Sequence, residues 1–433
     1  MEETEQSSGV AHLAIAWVLL VPLFYFACGG GVWFLDSAGK SGAQATSGAD
    51  IAKVLLVFGI VGLLILQRMP QVLAGLRDNA VFVAIAALAL LSCVWSQFPT
   101  RTIENSIFLA LNTLFAVYLY RRLSPERLAS MLAMLGWICL ILSFILISFY
   151  PTIGRDYALK ASWRGIYHQK NLCGPMTIYL MSGVLFISPT SFLAQARRIL
   201  FICLSIFLVV MTQSRGAWIL LAFLLIYYLA IKFAHSFRRK DGSIVLFLEV
   251  LVAMTVLAVG ISYWKEILLL LGKDATLSGR TTIWQAVKVS LLKRPLLGYG
   301  YMAFWNGMQG ESANVASAKG EIVTGAHNGF LNVWLTLGAV GMVLTVYAVA
   351  RSIKHGVACL RVERSSHLNW YVCVVLLTIV HSMDETQTLA PNDLTWIMFM
   401  VACIGLAEGA KRIRKGPESN PELGPENGQP QMS

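Results

Sequence analysis

Solid apolar runs, rather than alternating or one-sided ones, dominate the chain. They fall at about 12–35, 51–66, 79–95, 105–120, 127–149, 172–188, 199–212, 216–231, 244–263, 327–350, 368–383 and 394–409. A helix crossing a bilayer needs ~20 apolar residues, so the pattern predicts an all-α, polytopic bundle of about twelve transmembrane helices. A β-barrel would instead show alternation in segments of ~10 residues. The stretch 199–231 decides the topology. As one helix it would be about 50 Å long at ~1.5 Å per residue. It would also bury Arg215 near the middle of a ~30 Å hydrocarbon core. Two helices joined at Gln213-Ser214-Arg215-Gly216 are predicted instead.

The loops orient the bundle. With twelve spans, one set of loops holds Arg68 and Arg77; Arg121, Arg122 and Arg127; Arg197 and Arg198; Lys232, Arg238, Arg239 and Lys240; Arg351, Lys354, Arg361 and Arg364; and the cluster at 411–415. Positive loops stay in the cytoplasm. Both termini are therefore expected inside, and the long loop 264–326, with an amphipathic helix, on the periplasmic side. Residues 1–415 read as one membrane domain. The tail 416–433, rich in Pro, Glu, Gly, Asn and Gln, reads as a disordered cytoplasmic end. Glu2, Glu3 and Glu5 precede the first run where a signal peptide would be basic, so that run is expected to be an uncleaved anchor.

Composition narrows the classes further. Of 433 residues, 57% are hydrophobic and 13% charged, against about 45–50% and 25% in soluble domains. The net charge of +11 fits cytoplasmic loops first and an anionic ligand second. Nucleic acid is not an expected partner, because the basic residues lie in short scattered clusters. Eight cysteines sit mostly inside apolar runs without a CxxC, which predicts neither a zinc site nor a disulfide framework.

Basic residues on the outer side run against the positive-inside bias and therefore call for another explanation. The notable ones are Arg155, Arg164, Arg215 and Arg280, with Lys170; each alone reads equally as an ordinary interfacial residue, and their shared side is what raises the alternative. Guanidinium groups gathered just outside a membrane suit a phosphate or diphosphate headgroup. Trp163 and Tyr167 serve equally well as interfacial anchors, but Arg164, His168 and Lys170 within seven residues form a basic cluster. The stretch 278–295 presents Ile283, Trp284, Val287, Leu291 and Leu292 on one helical face, with Ser278 as N-cap and Pro295 as stop. That helix is expected to lie on the membrane surface with Arg280 in its first turn, where free amides also favour anions. Ala326-His327-Asn328-Gly329 opens a further apolar helix. A lone histidine there is more often packing than chemistry, yet a helix N-terminus disfavours the imidazolium and suits a base. His381, Asp384 and Glu385 end the next span on the same side, as capping groups or as a second wall of a pocket. No Walker A, GxGxxG, HExxH or GxSxG motif occurs.

The set Trp163-Arg164-Gly165…His168-Gln169-Lys170-Asn171…Gly174, Thr212-Gln213-Ser214-Arg215-Gly216-Ala217, Gly279-Arg280-Thr281…Trp284, Pro295-Leu296…Gly298-Tyr299-Gly300 and His327-Asn328-Gly329…Gly338…Gly341 resembles the O-antigen ligase and Wzy-type polysaccharide polymerase superfamily. The match runs over about residues 90–405, with Trp95-Ser96 as a weaker element, and is similar above all to the exopolysaccharide-production branch. The resemblance implies a metal-independent, inverting glycosyltransferase without cofactor in the bacterial inner membrane, its site facing the periplasm. The implied donor is an oligosaccharide on undecaprenyl diphosphate. The implied acceptor is the next lipid-linked repeat unit for a polymerase, or lipid A core for a ligase. By motif, Arg215 and Arg280 correspond to diphosphate-binding arginines, Arg164 and Lys170 less securely so, and His327 to the essential histidine. His168, Asn328 and Glu385 are candidate accessory residues.

Other classes remain open from the residues alone. A transporter of lipid-linked oligosaccharide would share the spans and a basic cavity, although its charges should lie near the midplane. A non-catalytic scaffold would leave the histidine and arginines without a role.

Overall fold

The computed structural model describes residues 2–31, 48–236, 280–362 and 365–415. They form helices with one two-residue strand pair. In chain order these are α1 (Glu2–Ala27), α2 (Gly48–Leu66), α3 (Met69–Asp78), α4 (Ala80–Leu91), α5 (Pro99–Arg122), α6 (Pro125–Phe149) and α7 (Pro151–Gly154). Strands β1 (Arg155–Asp156) and β2 (Ser162–Trp163) then pair antiparallel, Arg155 opposite Trp163. There follow α8 (Lys170–Phe186), α9 (Phe192–Met211), α10 (Arg215–Ser236), α11 (Arg280–Lys293), α12 (Ser312–Lys319), α13 (Gly329–Val362), α14 (Ser366–Asp384) and α15 (Leu394–Lys415).

The expected apolar runs within the described residues all fall on helices. Seven helices are long and apolar enough to cross a membrane, namely α5, α6, α9, α10, α13, α14 and α15. The pair α2–α3, bent by 87°, makes an eighth if it is one span. The apolar part of α1, α4 and α8 are shorter, so the expectation of twelve full-length spans is not met among the described residues. The run 244–263, the loop portion 264–279 with Ser278, and the tail 416–433 lie outside them.

Helix boundaries follow from local chemistry. Pro99 and Pro125 stand at first-turn positions, where a missing N–H costs nothing. The Ser124 hydroxyl accepts from the Arg127 amide, the Ser191 hydroxyl from the Ala194 amide, and the Asp393 carboxylate from the amides of Thr395 and Trp396, each filling an orphan donor of a helix start. Burial pushes the Asp393 carboxyl up, against the bonds it accepts. The predicted break after α9 is present. Thr212 donates to the Val209 carbonyl and accepts from the Ser214 amide, and Gln213 turns the chain with a left-handed φ of 52°.

Helix α8 is the axis of the bundle, buried from Leu172 to Phe186 and packed by α6, α9, α10 and α14. Between helices in lipid the water-exclusion drive is absent, so close approach of backbones matters more. Gly174 supplies it against Ala217 of α10, and Gly136 of α6 against Phe201 of α9.

The helix directions sort the polar groups onto two ends. At one end lie Arg121, Arg198, Arg351 and Lys411. There Asp78 pairs with Lys411 at 2.6 Å, Arg351 donates to the Asp78 carbonyl at 2.9 Å, and Arg198 to the Leu185 carbonyl at 2.7 Å. At the other end a cap with its own apolar core sits on the bundle. Ile283, Val287, Leu291, Tyr299, Phe304, Val315 and Leu335 form that core. The apolar face of α11, expected to rest on a membrane surface, is thus largely covered by protein. Leu292 alone of its predicted face stays fully out, at 71% exposed. The face was visible in the sequence, whereas the cap that covers it comes from residues up to fifty positions away.

The cap explains the glycine motifs. Helix α13 is broken at Gly338, where φ is 66° and ψ −168°. The strap Pro295–Gly300 lies in the break. Its Pro295 and Leu296 carbonyls accept from the amides of Ala339 and Val340, and its Tyr299 and Gly300 amides donate to Leu335 and Thr336. Four backbone groups beside the kink, the carbonyls of Leu335 and Thr336 and the amides of Ala339 and Val340, are thereby satisfied. Trp95 Nε1 donates to the Leu297 carbonyl, and Arg294 Nη1, just before the strap, donates to the Trp95 carbonyl, which staples the strap to the turn between α4 and α5.

Candidate active site

Five helix ends meet beneath the cap: the starts of α8, α10, α11 and α13 and the end of α14. His327 precedes α13 with a left-handed φ of 46°, a conformation that is unfavourable for a non-glycine residue. Its neighbours hold it there. Trp284 Nε1 donates to the Ala326 carbonyl at 2.8 Å. The Asn328 side chain accepts from the Leu331 amide at 3.0 Å, which caps α13. A side chain at Gly329 would collide with Thr388 and Ser382, so only glycine lets the 386–390 turn close over it. In the His-Asn-Gly triplet, Asn328 and Gly329 build the backbone that presents His327.

The imidazole Nδ1 lies 3.3 Å from Glu385 Oε2. Glu385 is 7% exposed, and its other oxygen accepts from Asn171 Nδ2 at 2.9 Å. Asn171 Oδ1 in turn accepts from the Ser214 hydroxyl at 3.0 Å. A continuous hydrogen-bonded chain therefore runs from His327 through α14 and α8 to the α9–α10 turn. With a carboxylate accepting at Nδ1, the remaining ring nitrogen is the basic one.

The cations gather around the same turn. Arg215 follows Ser214 directly, and Lys170 reaches the Gln213 carbonyl at 3.5 Å. Arg280 Nη1 pairs with Asp384 Oδ1 at 2.5 Å. The other Asp384 oxygen occupies the space where a side chain on Gly216 would stand. So the three residues His327, Arg215 and Arg280, with Lys170, are joined through Glu385, Asp384, Asn171 and Ser214. Arg164 has a different setting: its Nε and Nη2 donate to the carbonyls of Ile153 and Thr152, closing the end of the short α7. His168 is exposed on the following loop. His381, one turn before Glu385, is buried beside Tyr179, its ring 5.9 Å away.

Sequence reasoning left Asn171 and Ser214 without a role, although both lie inside the quoted motifs. Their signal was position, each next to a cation that the loop charges place away from the basic loops. Asp384 stood only as a cap or wall residue, since nothing in the chain pairs it with Arg280 over 104 positions.

Residues 200–346 match the family described as O-antigen ligase, Wzy_C. That stretch takes in Arg215, Arg280 and His327, and ends before Asp384 and Glu385. The chain is similar to a ComP-specific O-oligosaccharyltransferase of Acinetobacter baylyi, 30% identical over 193 residues, which is 43% of this chain and 33% of that protein. It is also similar to exopolysaccharide production protein ExoQ of Rhizobium meliloti, 24% identical over 311 residues, 67% of this chain and 68% of that protein. The chain thus spans about a third of the first relative's length and two thirds of the second's. A chain of the solved structure described as "Structural coordination of polymerization and crosslinking by a peptidoglycan synthase complex" aligns at 18% identity with a TM-score of 0.37, over 76% of this chain and 95% of that one; at that score it carries no weight here. Residues 200–346, about a third of the chain, are thus similar to the O-antigen ligase family and contain Arg215, Arg280 and His327.

Proposed function

We propose that this chain is a glycosyltransferase of the bacterial inner membrane. It moves an oligosaccharide from undecaprenyl diphosphate to a glycan acceptor at the periplasmic face. The observation that carries this reading is the junction of a carboxylate-held histidine with Arg215, Arg280 and Lys170 at one end of a helical bundle. The basic loops lie at the other end, and positive loops are cytoplasmic. Both termini are then inside.

Arg215 and Arg280 hold the donor diphosphate and stabilise the charge that develops on it as the glycosidic bond breaks. Lys170 adds a third cation. His327 takes the proton of the acceptor hydroxyl as that oxygen attacks the anomeric carbon, and Glu385 balances the imidazolium that forms. Attack opposite the leaving group inverts the carbon, and the arginines do the charge work of a metal. The cap keeps water from the activated donor. The polyprenyl chain has an apolar groove of about 370 Å³ beside Trp137, Phe144 and Leu204, between α6 and α9.

Polymerisation of exopolysaccharide or O-antigen repeat units is the preferred acceptor reading, because the ExoQ alignment covers two thirds of both chains. Ligation to lipid A core is the second reading, favoured by the family description. A deletion strain separates them. Loss of secreted polymer with intact lipopolysaccharide marks a polymerase; loss of capped core with accumulating lipid-linked polymer marks a ligase. Purified His327→Ala and Arg215→Ala are expected to lose transfer from lipid-linked donor while keeping the parent's thermal stability. Normal transfer by either would overturn the assignment, and activity that EDTA abolishes and a divalent ion restores would overturn the metal-free scheme.

A further inference from the structure

Resting on that reading of the site, we infer that Asp384 is a built-in counter-ion that occupies the donor diphosphate's place and is exchanged for it in each cycle. Three observations converge on its carboxylate. One oxygen is paired with Arg280, a cation of the proposed diphosphate clamp, at 2.5 Å. The other fills the space left by the missing side chain of Gly216, the residue after Arg215 at the start of α10. A helix start with its first amides free is itself an anion-favouring place. The carboxylate therefore sits between two arginine-bearing segments, on a glycine that has room for an oxygen but not for a methyl group. Both partners are part-exposed, with side-chain exposures of 23% for Arg280 and 32% for Asp384, so an incoming anion can reach them.

The electrostatics give this arrangement a use. Lys170, Arg215 and Arg280 around one turn repel one another when no anion is bound. A single carboxylate relieves that repulsion and keeps Arg280 aimed at the site. A diphosphate carries more charge and more acceptor oxygens than a carboxylate, so it displaces Asp384 when present. When the glycan has been transferred, the returning carboxylate competes with the lipid diphosphate product and favours its release. Glu385, the next residue, stays on His327 throughout. The end of α14 thus assigns one acid to the base and the other to the leaving group.

The test uses the full chain in detergent with inorganic pyrophosphate as probe, followed by the transfer assay. Asp384→Asn, with Asp384→Ser as a second variant should the first fold poorly, is expected to bind pyrophosphate on the order of tenfold more tightly, as expected when one competing charge is removed. In transfer, both should lower KM for the lipid-linked donor and strengthen inhibition by undecaprenyl diphosphate. Gly216→Ala should bind pyrophosphate more weakly, because its methyl group takes the contested space. Unchanged or weaker pyrophosphate binding in folded Asp384→Asn and Asp384→Ser overturns the inference. Arg280→Ala tells the two ideas apart. If it abolishes pyrophosphate binding while the Asp384 variants leave it unchanged, only the exchange idea fails. If Arg280→Ala also leaves pyrophosphate binding intact, the diphosphate clamp itself is wrong.

Discussion

Replacing Gly338 by alanine is expected to weaken the cap and, through it, the site. Gly338 has φ 66° and ψ −168°, a region open essentially to glycine and costing other residues about 1–3 kcal/mol. The new methyl group would run into the Leu296 carbonyl and the Leu297 amide, backbone groups that cannot swing aside. Relief requires the 295–300 strap to lift from α13, where four backbone hydrogen bonds of 2.9–3.3 Å hold it. At about 1 kcal/mol for each bond, losing two of them with the backbone strain of about 1–3 kcal/mol retained gives a loss of about 3–5 kcal/mol. His327 and Asn328 precede the upper segment of the same helix, so transfer activity should fall with stability. The assay is the monodisperse fraction left after stepwise heating in detergent, read by size-exclusion chromatography, alongside the transfer rate. Gly62→Ala is the control. Nothing lies within 4 Å of its added carbon, and an alanine in a helix interior gains about 0.5–1 kcal/mol over glycine. A Gly338→Ala protein as heat-stable as the parent would refute the reasoning.

Glu385→Gln removes the charge beside His327 while keeping the side-chain shape. A hydrogen bond to a charged group is worth about 1.5–3 kcal/mol, so kcat should fall roughly 10- to 100-fold at nearly constant donor KM; an unchanged kcat would remove Glu385 from the scheme. Asp393→Ala uncaps α15 by losing the bonds from the Thr395 and Trp396 amides. It should lower thermal stability by about 1–2 kcal/mol without moving donor KM, and a shift confined to KM would argue for a role in binding. Trp95→Phe deletes the bond from the indole to the Leu297 carbonyl. It should destabilise the strap by about 1 kcal/mol, in the same direction as Gly338→Ala and more mildly.

The contrast between His327 and Asn328 shows what a sequence can and cannot convey. The bundle was legible because apolar runs in lipid answer to length and charge alone. The split at Gln213–Gly216 followed from Arg215, which no ~30 Å core would accept at its centre. The cations of the site were legible for a related reason, since Arg215, Arg280 and Lys170 stand apart from the basic loops that gather at the other end of the bundle. Partner choice was not legible, because it depends on contacts across the chain. Asn328 read as a possible accessory residue, and its side-chain oxygen also caps a helix; Arg164 read as a less secure diphosphate ligand, and two of its donors go to the carbonyls of α7. Gly298, Gly300 and Gly338 read as motif markers and are the means by which a broken helix and its strap share backbone bonds. These glycines and caps fix where the helix carrying His327 begins. Their place in the motif is therefore physical: a histidine held within hydrogen-bond reach of Glu385 tolerates little slack in the backbone that presents it.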